Sequence, residues 1–407
     1  MSYPAPSAAP ARGSHQSTGN PAAPTILISA GESSGDLHAA RLATALRERT
    51  GAHLFGMGGP LMRAAGVELV ADSREVSVVG LTEILHRLPQ IWKVFRTLLR
   101  ETRLRRPALA VLVDFPGFHL HLARELRARH IPNIYFITPQ FWAWRPWRVR
   151  LIRRRFALAL CIFPFEVDFF RKAGVNAEFI GHPLVGAVRA SMTRDEFCAR
   201  RGLDPTRPLL TLLPGSRPRE VAHILPVVLM ACDQMARGRD LQIVLAAAPG
   251  MKAADYGAFP AGLNIRVVED GTYDALAAAD VSIVSSGTAT VEAALLGAPL
   301  VVVYRVSKTT ATFVRPMLRT KDFAMPNLIA GRRVVPELIQ DDFTPEAVVR
   351  ETTRLLDSPD ARSAMKSDLA EIEARLHGPS GDAISRAASL IAEFLAAHAT
   401  PGPKEQS

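Results

Sequence analysis

Thr25-Ile26-Leu27-Ile28-Ser29-Ala30-Gly31-Glu32-Ser33-Ser34-Gly35-Asp36 runs from an aliphatic strand through two glycines into the apolar repeat of a helix over Asp36–Arg49. A buried strand that turns directly into a helix is the building unit of parallel-sheet α/β proteins. Outward from this unit the pattern recurs. Strands are predicted at Thr25–Ser29, His53–Gly56, Leu109–Val113, Ile134–Ile137 and Leu158–Phe163, with helices such as His119–Arg129 between them. These runs lack strict alternation, as expected for strands covered on both faces.

Around Gly181-His182-Pro183-Leu184 the pattern pauses, and after the charged stretch Arg194–Arg207 it restarts at Leu209–Leu213. Further strands are predicted at Leu241–Ala246, Ile265–Val268, Val281–Val284 and Leu300–Val303, and helices at Pro345–Leu356, Ala361–Leu376 and Ala383–His398. The reading is an α/β protein of two doubly wound, Rossmann-like domains, residues 25–183 and 184–376, with a cleft between them. A leader, 1–24, precedes them and a helix and tail, 377–407, follow. Ligands of such sheets bind beyond the carboxyl ends of the strands.

Composition narrows the class. With 48% apolar and 22% charged residues over 407 positions, the chain is ordinary globular protein. Cys161, Cys198 and Cys232 are far apart and lack metal-ligand spacing, which argues against a disulfide framework or zinc and suits a reducing cytoplasm. The longest apolar run, Ala157–Phe165, is far short of the ~20 residues a spanning helix needs. Met1–Pro24 is rich in Ala, Pro, Ser and Gly without an apolar core, so it reads as a disordered leader and not a signal peptide. A net charge of +10 favours an anionic partner: a phosphate-bearing substrate, a nucleic acid or an acidic membrane surface.

Four segments carry candidate chemistry. Gly31-Glu32-Ser33-Ser34-Gly35 is a strand-to-helix turn whose glycines permit tight geometry and whose helix N-terminus offers N–H groups to an anion or sugar hydroxyl. It is neither GxGxxG nor a P-loop, and a plain helix start capped by Ser34 or Asp36 fits it equally. Asp114 ends the strand Leu109–Val113, where apolar neighbours can raise a carboxylate into the range of a general base; the alternative is a cap for the helix near His119. Gly215-Ser216-Arg217 repeats the turn in the second domain, with an arginine fork suited to phosphate. Ser286-Gly287-Thr288 repeats it again, its hydroxyls and N–H groups suiting a diphosphate, with Glu292 one turn on as an acceptor for ribose hydroxyls. No DxD or H-E-x-x-H occurs, so a metal is not expected.

Leu81, Ile84, Leu85, Leu88, Ile91, Trp92, Phe95, Leu98 and Leu99 follow helical spacing, although Pro89 should break or kink the segment. Seven Lys or Arg and one acid lie between Arg87 and Arg106. That composition fits either an interfacial membrane helix or a core-packed helix with a basic face. A second cluster, Phe141-Trp142-Ala143-Trp144-Arg145-Pro146-Trp147-Arg148, interleaves aromatics with arginine.

Taken in order, Ser29–Asp36, Gly56-Met57-Gly58-Gly59, Val79–Glu83, Asp114-Phe115-Pro116-Gly117-Phe118, Trp142-Ala143-Trp144-Arg145, Phe179–Leu184, Leu213–Arg217, Ser286-Gly287-Thr288 and Pro326-Asn327-Leu328-Ile329-Ala330-Gly331 resemble the lipid-A-disaccharide synthase family over roughly Thr25–Leu376. The resemblance implies a GT-B glycosyltransferase that joins diacylglucosamine from a UDP donor to diacylglucosamine 1-phosphate, inverting the anomeric centre without a metal or other cofactor. It implies Asp114 as base and Glu292 and Asn327 at the donor site. Gly117 stands where a well-known member of the family has an acidic residue, which leaves Asp114 without that neighbour. The partners implied are the two acylated substrates and an anionic membrane surface, bound peripherally at the inner face of the cytoplasmic membrane; no nucleic acid is expected, and a homodimer is left open. The alternative is another GT-B UDP-sugar enzyme, either a glycosyltransferase to a different lipid or a UDP-N-acetylglucosamine epimerase.

Overall fold

The computed structural model describes residues 23–76, 81–306, 322–379 and 381–398, the backbone alone for 81–87. Most of the leader, the end of the tail and the outermost stripe positions Leu81, Ile84 and Leu85 therefore lie outside the described side chains. Thirteen strands are described among these residues. The first sheet comprises β1 (Thr25–Ala30), β2 (His53–Gly58), β3 (Glu68–Asp72), β4 (Leu109–Val113), β5 (Asn133–Phe136), β6 (Leu158–Cys161) and β7 (Ala177–Phe179). The second comprises β8 (Leu209–Leu213), β9 (Gln242–Ala246), β10 (Ile265–Val268), β11 (Val281–Ser285), β12 (Leu300–Tyr304) and β13 (Glu337–Ile339).

All pairings are parallel, in the orders β3-β2-β1-β4-β5-β6-β7 and β10-β9-β8-β11-β12-β13. In each sheet the chain winds outward from its first strand, returns, and winds the other way from the fourth. The reversal falls between β1 and β4 in one sheet and between β8 and β11 in the other. Such a switch point opens a crevice at the strands' carboxyl ends, because the flanking helices leave in opposite directions.

The predicted strands are found within one to two residues of their expected ends. Three strands went unread: β3, β7 and β13. Each is an edge strand of three to five residues with half-exposed positions, so none shows the continuous apolar run that marks a buried strand. The break expected at Pro89 is absent, for residues Leu81–Arg105 form one helix. Proline removes only its own N–H bond, and the turns beyond it are anchored by buried Val94 and Leu98.

The two domains face each other across the carboxyl end of the first sheet. Phe163, just past β6, is buried in the core of the second domain. The last helix, Ala383–His398, does not stand apart as a tail. It packs on the helix Ser33–Thr50, with Ile384, Ala387, Ala388 and Ile391 in the first domain's core. The two chain crossings touch backbone to backbone, since a Cβ on Gly181 would lie 2.7 Å from the nitrogen of Gly378. Only glycines allow that approach.

Candidate active site

Both sets of candidate turns lie at the switch points. Ala30 of β1 pairs with Val113 of β4, so the Gly31–Ser34 turn and Asp114 emerge side by side. Leu213 of β8 pairs with Val284 of β11, which sets Gly215-Ser216-Arg217 beside Ser286-Gly287-Thr288. Two stretches of sequence roughly 80 residues apart in each domain are brought together by nothing more than strand order.

In the first domain the helix Ser33–Thr50 begins at Glu32, which makes no side-chain cap. Neither Ser34 nor Asp36 caps it. Asp36 is buried and accepts from the N–H groups of Gly59, Leu61 and Met62 at 2.8, 3.0 and 3.1 Å, so it caps the neighbouring helix Pro60–Ala64. Glu32, Ser33 and Ser34 are left exposed. Gly31 is required by packing: a Cβ there would lie 2.2 Å from the Phe115 ring.

Asp114 caps nothing either, as the helix Pro116–Arg127 starts after an uncapped Phe115. Asp114 and Phe115 both hold left-handed backbone conformations, φ 45° and 48°. For residues with a Cβ such conformations cost of order 1–3 kcal/mol each and persist where the surroundings over-determine them. Here the Asp114 carbonyl accepts from His119 Nδ1–H at 2.8 Å and from the Tyr135 hydroxyl at 2.9 Å. Burial, with the charge of Glu32 second, pushes the Asp114 carboxyl up to about 6, partly offset by the Phe115 N–H. The acidic neighbour that Gly117 does not supply is supplied by Glu32 from the adjacent turn.

Beside this group lies an apolar cavity of about 730 Å³, lined by Val76, Leu88, Ile91, Trp92, Phe95, Leu99, Phe115 and Phe118, with His121, Arg124 and Glu125 at its polar side. The amphipathic stripe thus splits. Leu98 is core, beside Val94 from outside the stripe, whereas Trp92 is 60% and Leu88 42% exposed. The Trp142–Arg148 cluster follows β5 at the same carboxyl end of the sheet. Phe141 is buried; Trp142 donates its indole N–H to the buried Glu166 at 3.1 Å, and Thr138 donates to the other oxygen at 3.0 Å. Burial pushes Glu166 up to about 7. Trp144 and Trp147 remain exposed, each stacked by an arginine, Arg145 and Arg148.

The turns of the second domain are built differently. Gly215 is left-handed at φ 128°, and Arg217 is 66% exposed, bonded to Glu220 at 2.9 Å. An exposed pair of this kind contributes about 0–1 kcal/mol, so the guanidinium is readily released to a phosphate. Gly287 and Thr288 are exposed at the start of the helix Thr288–Leu295, whose first N–H groups have no partner within the helix. Glu292 is half-buried and accepts from the Tyr273 hydroxyl at 3.0 Å, which leaves one carboxylate oxygen for a ribose. Desolvation raises its pKa, with the Tyr273 bond acting against it.

Asn327, which the resemblance implies at the donor site, is engaged within the protein. It is buried, its Oδ1 accepts from Val334 and Val335 N–H, and its Nδ2 donates to the Val335 carbonyl and Glu337. All four side-chain amide bonds are used within the protein, which holds the 323–337 segment in shape. Sequence reading did not single out His119 and Tyr135, which bond the Asp114 carbonyl, or Tyr273, which bonds Glu292; none of the three has a motif of its own.

A basic concavity of about 1660 Å³ lies at the opposite end of the first sheet, lined by Arg103, Arg106, Arg127, Arg129, Arg153 and Arg155. Four helices, Leu81–Arg105, Pro116–Arg127, Val149–Arg155 and Ala383–His398, end there. Basic side chains in a last turn complement the helix dipole, which accounts for the cluster.

Two parallel-sheet α/β domains, each with a switch point at the carboxyl ends of its strands, are the architecture of the GT-B glycosyltransferases. The fold matches calicheamicin glycosyltransferase CalG4 (TM-score 0.57, 18% identity, 93% of this chain and 100% of that one) and Acinetobacter baumannii MurG (0.54, 16%, 92% and 99%). It also matches the UDP-GlcNAc 2-epimerase of Neisseria meningitidis (0.59, 12%, 92% and 100%). At this identity the likeness is one of fold. A profile of the lipid-A-disaccharide synthetase family matches residues 26–389. Lipid-A-disaccharide synthases of Solibacter usitatus and Myxococcus xanthus are each 44% identical, covering 93% and 91% of this chain and 99% and 98% of theirs. The chain belongs to the lipid-A-disaccharide synthetase family, and its activity is that of an inverting hexosyltransferase of lipid A biosynthesis. The epimerase alternative is not favoured.

Proposed function

We propose that the cleft transfers 2,3-diacylglucosamine from its UDP derivative to the 6-hydroxyl of 2,3-diacylglucosamine 1-phosphate, with Asp114 as general base. The Asp114 carboxylate takes the hydroxyl proton as the oxygen attacks the anomeric carbon from the face opposite UDP. A β-1,6 bond forms, the bond to the UDP oxygen breaks, and UDP leaves. Its charge is met by Arg217 and by the N-terminus of the helix Thr288–Leu295, while Glu292 receives the ribose. The observation that carries this reading is the pairing of a desolvated, raised carboxylate at one switch point with exposed anion-receiving turns at the other.

The apolar cavity beside Asp114 supports acylated substrates. No described helix is long and apolar enough to cross a membrane. Each buried methylene is worth about 0.8 kcal/mol, so complete extraction of a diacyl lipid into water is prohibitive and the enzyme works at the surface instead. Exposed Trp92 and Leu88 with basic Lys93, Arg96, Arg100 and Arg103 on the same helix suit peripheral docking on an anionic leaflet. Incubation with a diacylated UDP-glucosamine and its 1-phosphate counterpart, read by mass spectrometry, should yield UDP and the disaccharide 1-phosphate. Release of UDP without disaccharide would reject the acceptor assignment.

A further inference from the structure

We propose that His119 is a positioning residue that ties the Asp114 turn to the Gly31–Ser34 turn and, with Tyr135, holds Asp114 in its left-handed conformation. The proposal rests on Asp114 being the base.

The chain places an aspartate and a phenylalanine, not glycines, at two consecutive left-handed positions, so the conformation must be imposed from outside. Three bonds converge on the backbone of Asp114. Its N–H donates to the Phe136 carbonyl at 3.0 Å, and its carbonyl accepts both from His119 at 2.8 Å and from Tyr135 at 2.9 Å. The two side chains come from different elements, His119 from the helix Pro116–Arg127 and Tyr135 from β5. Both lone pairs of that carbonyl are thereby used.

The direction of the histidine bonds follows from chemistry. A carbonyl only accepts, so Nδ1 carries the proton. The ring is completely buried and its pKa is pushed down to about 4, so it is neutral and Nε2 is an acceptor. Ser29 Oγ, also fully buried, lies 2.9 Å from Nε2 and donates to it. Ser29 sits on β1 two residues before Gly31. The result is a one-way relay, from the Ser29 hydroxyl through the imidazole to the Asp114 carbonyl. It spans the switch point and fixes the turn bearing Glu32 against the turn bearing Asp114. His119 touches no place where substrate would sit; it acts through the backbone of the residue that does.

Two variants separate the two halves of the relay. In His119→Asn the amide nitrogen takes the position of Nδ1 and keeps the donor to Asp114; in His119→Gln the amide reaches the position of Nε2 and keeps only the Ser29 contact. His119→Gln should lower kcat by about 10–100-fold, the scale of a small misplacement of a catalytic group. It should leave KM for the donor and UDP affinity unchanged and move the acid limb of the pH profile. His119→Asn should stay within about threefold of the parent, since its bond to Asp114 survives. Equal impairment of both variants would overturn the proposal in favour of ring packing, as would a His119→Gln enzyme with parental kcat and acid limb. If His119→Gln does not fold, Tyr135→Phe decides: it removes only the second donor, and an unchanged kcat and acid limb in that variant would overturn the proposal. Failure of the underlying reading looks different, because Asp114→Asn would then retain turnover.

Discussion

The two switch points have the same topology and opposite physical character. At the first, Asp114 is desolvated, strained and braced by buried His119 and Tyr135. At the second, Arg217, Gly287 and Thr288 stand in solvent beside the main-chain N–H groups of a helix start. Proton chemistry needs a carboxylate moved off its ordinary pKa, which takes burial and rigidity. Holding a diphosphate needs charge and dipoles that a ligand can reach. One strand order serves both tasks, and the local side chains choose between them.

Asp114→Asn should break the first site most severely. Turnover should fall by about 10²–10⁴-fold, the usual contribution of general-base catalysis, with UDP binding by calorimetry unchanged. The same variant should be more stable than the parent. A carboxylate raised from 3.8 to about 6 opposes folding when ionised, a cost of about 3 kcal/mol at about 1.4 per unit. The cost is fully present above pH 6 and disappears as pH falls from about 6 towards 4, where the folded protein holds the proton. Melting temperatures of parent and variant should therefore differ at pH 7.5 and converge at pH 4.

Arg217→Ala should show the reverse pairing of effects. UDP affinity should drop by about 10–100-fold, from the loss of a charge-assisted contact of roughly 1.5–3 kcal/mol. Stability should barely change, because the Glu220 pair is exposed. If Arg217→Ala destabilised the fold and spared UDP binding, the contrast between the sites would fail.

The membrane edge of the first site should respond next. Replacing Trp92 and Phe95 with Ser should lower co-sedimentation with acidic vesicles by about tenfold, on the scale of one or two apolar side chains removed from an interface. UDP binding should persist. Parental vesicle binding by a folded double variant would place the membrane contact elsewhere, with Trp144 and Trp147 as the next exposed aromatics. The smallest effect is expected from Tyr273→Phe. It frees one Glu292 oxygen and should change KM for the UDP donor by about two- to tenfold, the size of one hydrogen bond, with kcat unaltered.

Much of this was legible in the chain because it rests on buried strands. Leu109–Val113 and Leu209–Leu213 are continuous apolar runs, and the turns that follow them carry the candidate residues, so finding the strand finds the site. Edge strands such as Ala177–Phe179 are short and half wet, and leave no comparable trace. The bracing residues were hidden for another reason. His119 in sequence is a histidine on an amphipathic helix; only the fold brings Ser29, some 90 positions away, to its other nitrogen. Asn327 shows the converse, where family pattern marks a site residue whose side chain is wholly engaged within the protein. Glu32 was seen as a ligand contact, yet its effect on Asp114 depends on β1 and β4 being neighbours, which strand order settles and residue spacing does not.

The central claim is that a carboxylate raised by burial and by Glu32 performs the proton transfer. It is tested most directly by the pH dependence of kcat/KM for the parent and for Glu32→Gln. The 1-phosphate of the acceptor also titrates near pH 6, so the parent profile is read against a variant. A substrate phosphate has the same pKa with either enzyme, whereas Asp114 loses one of the two influences that raise it. The parent should lose activity below a midpoint near 6, and Glu32→Gln should shift that midpoint towards the ordinary carboxylate value of about 4. Identical midpoints in the two enzymes would contradict the assignment of Asp114 as the base.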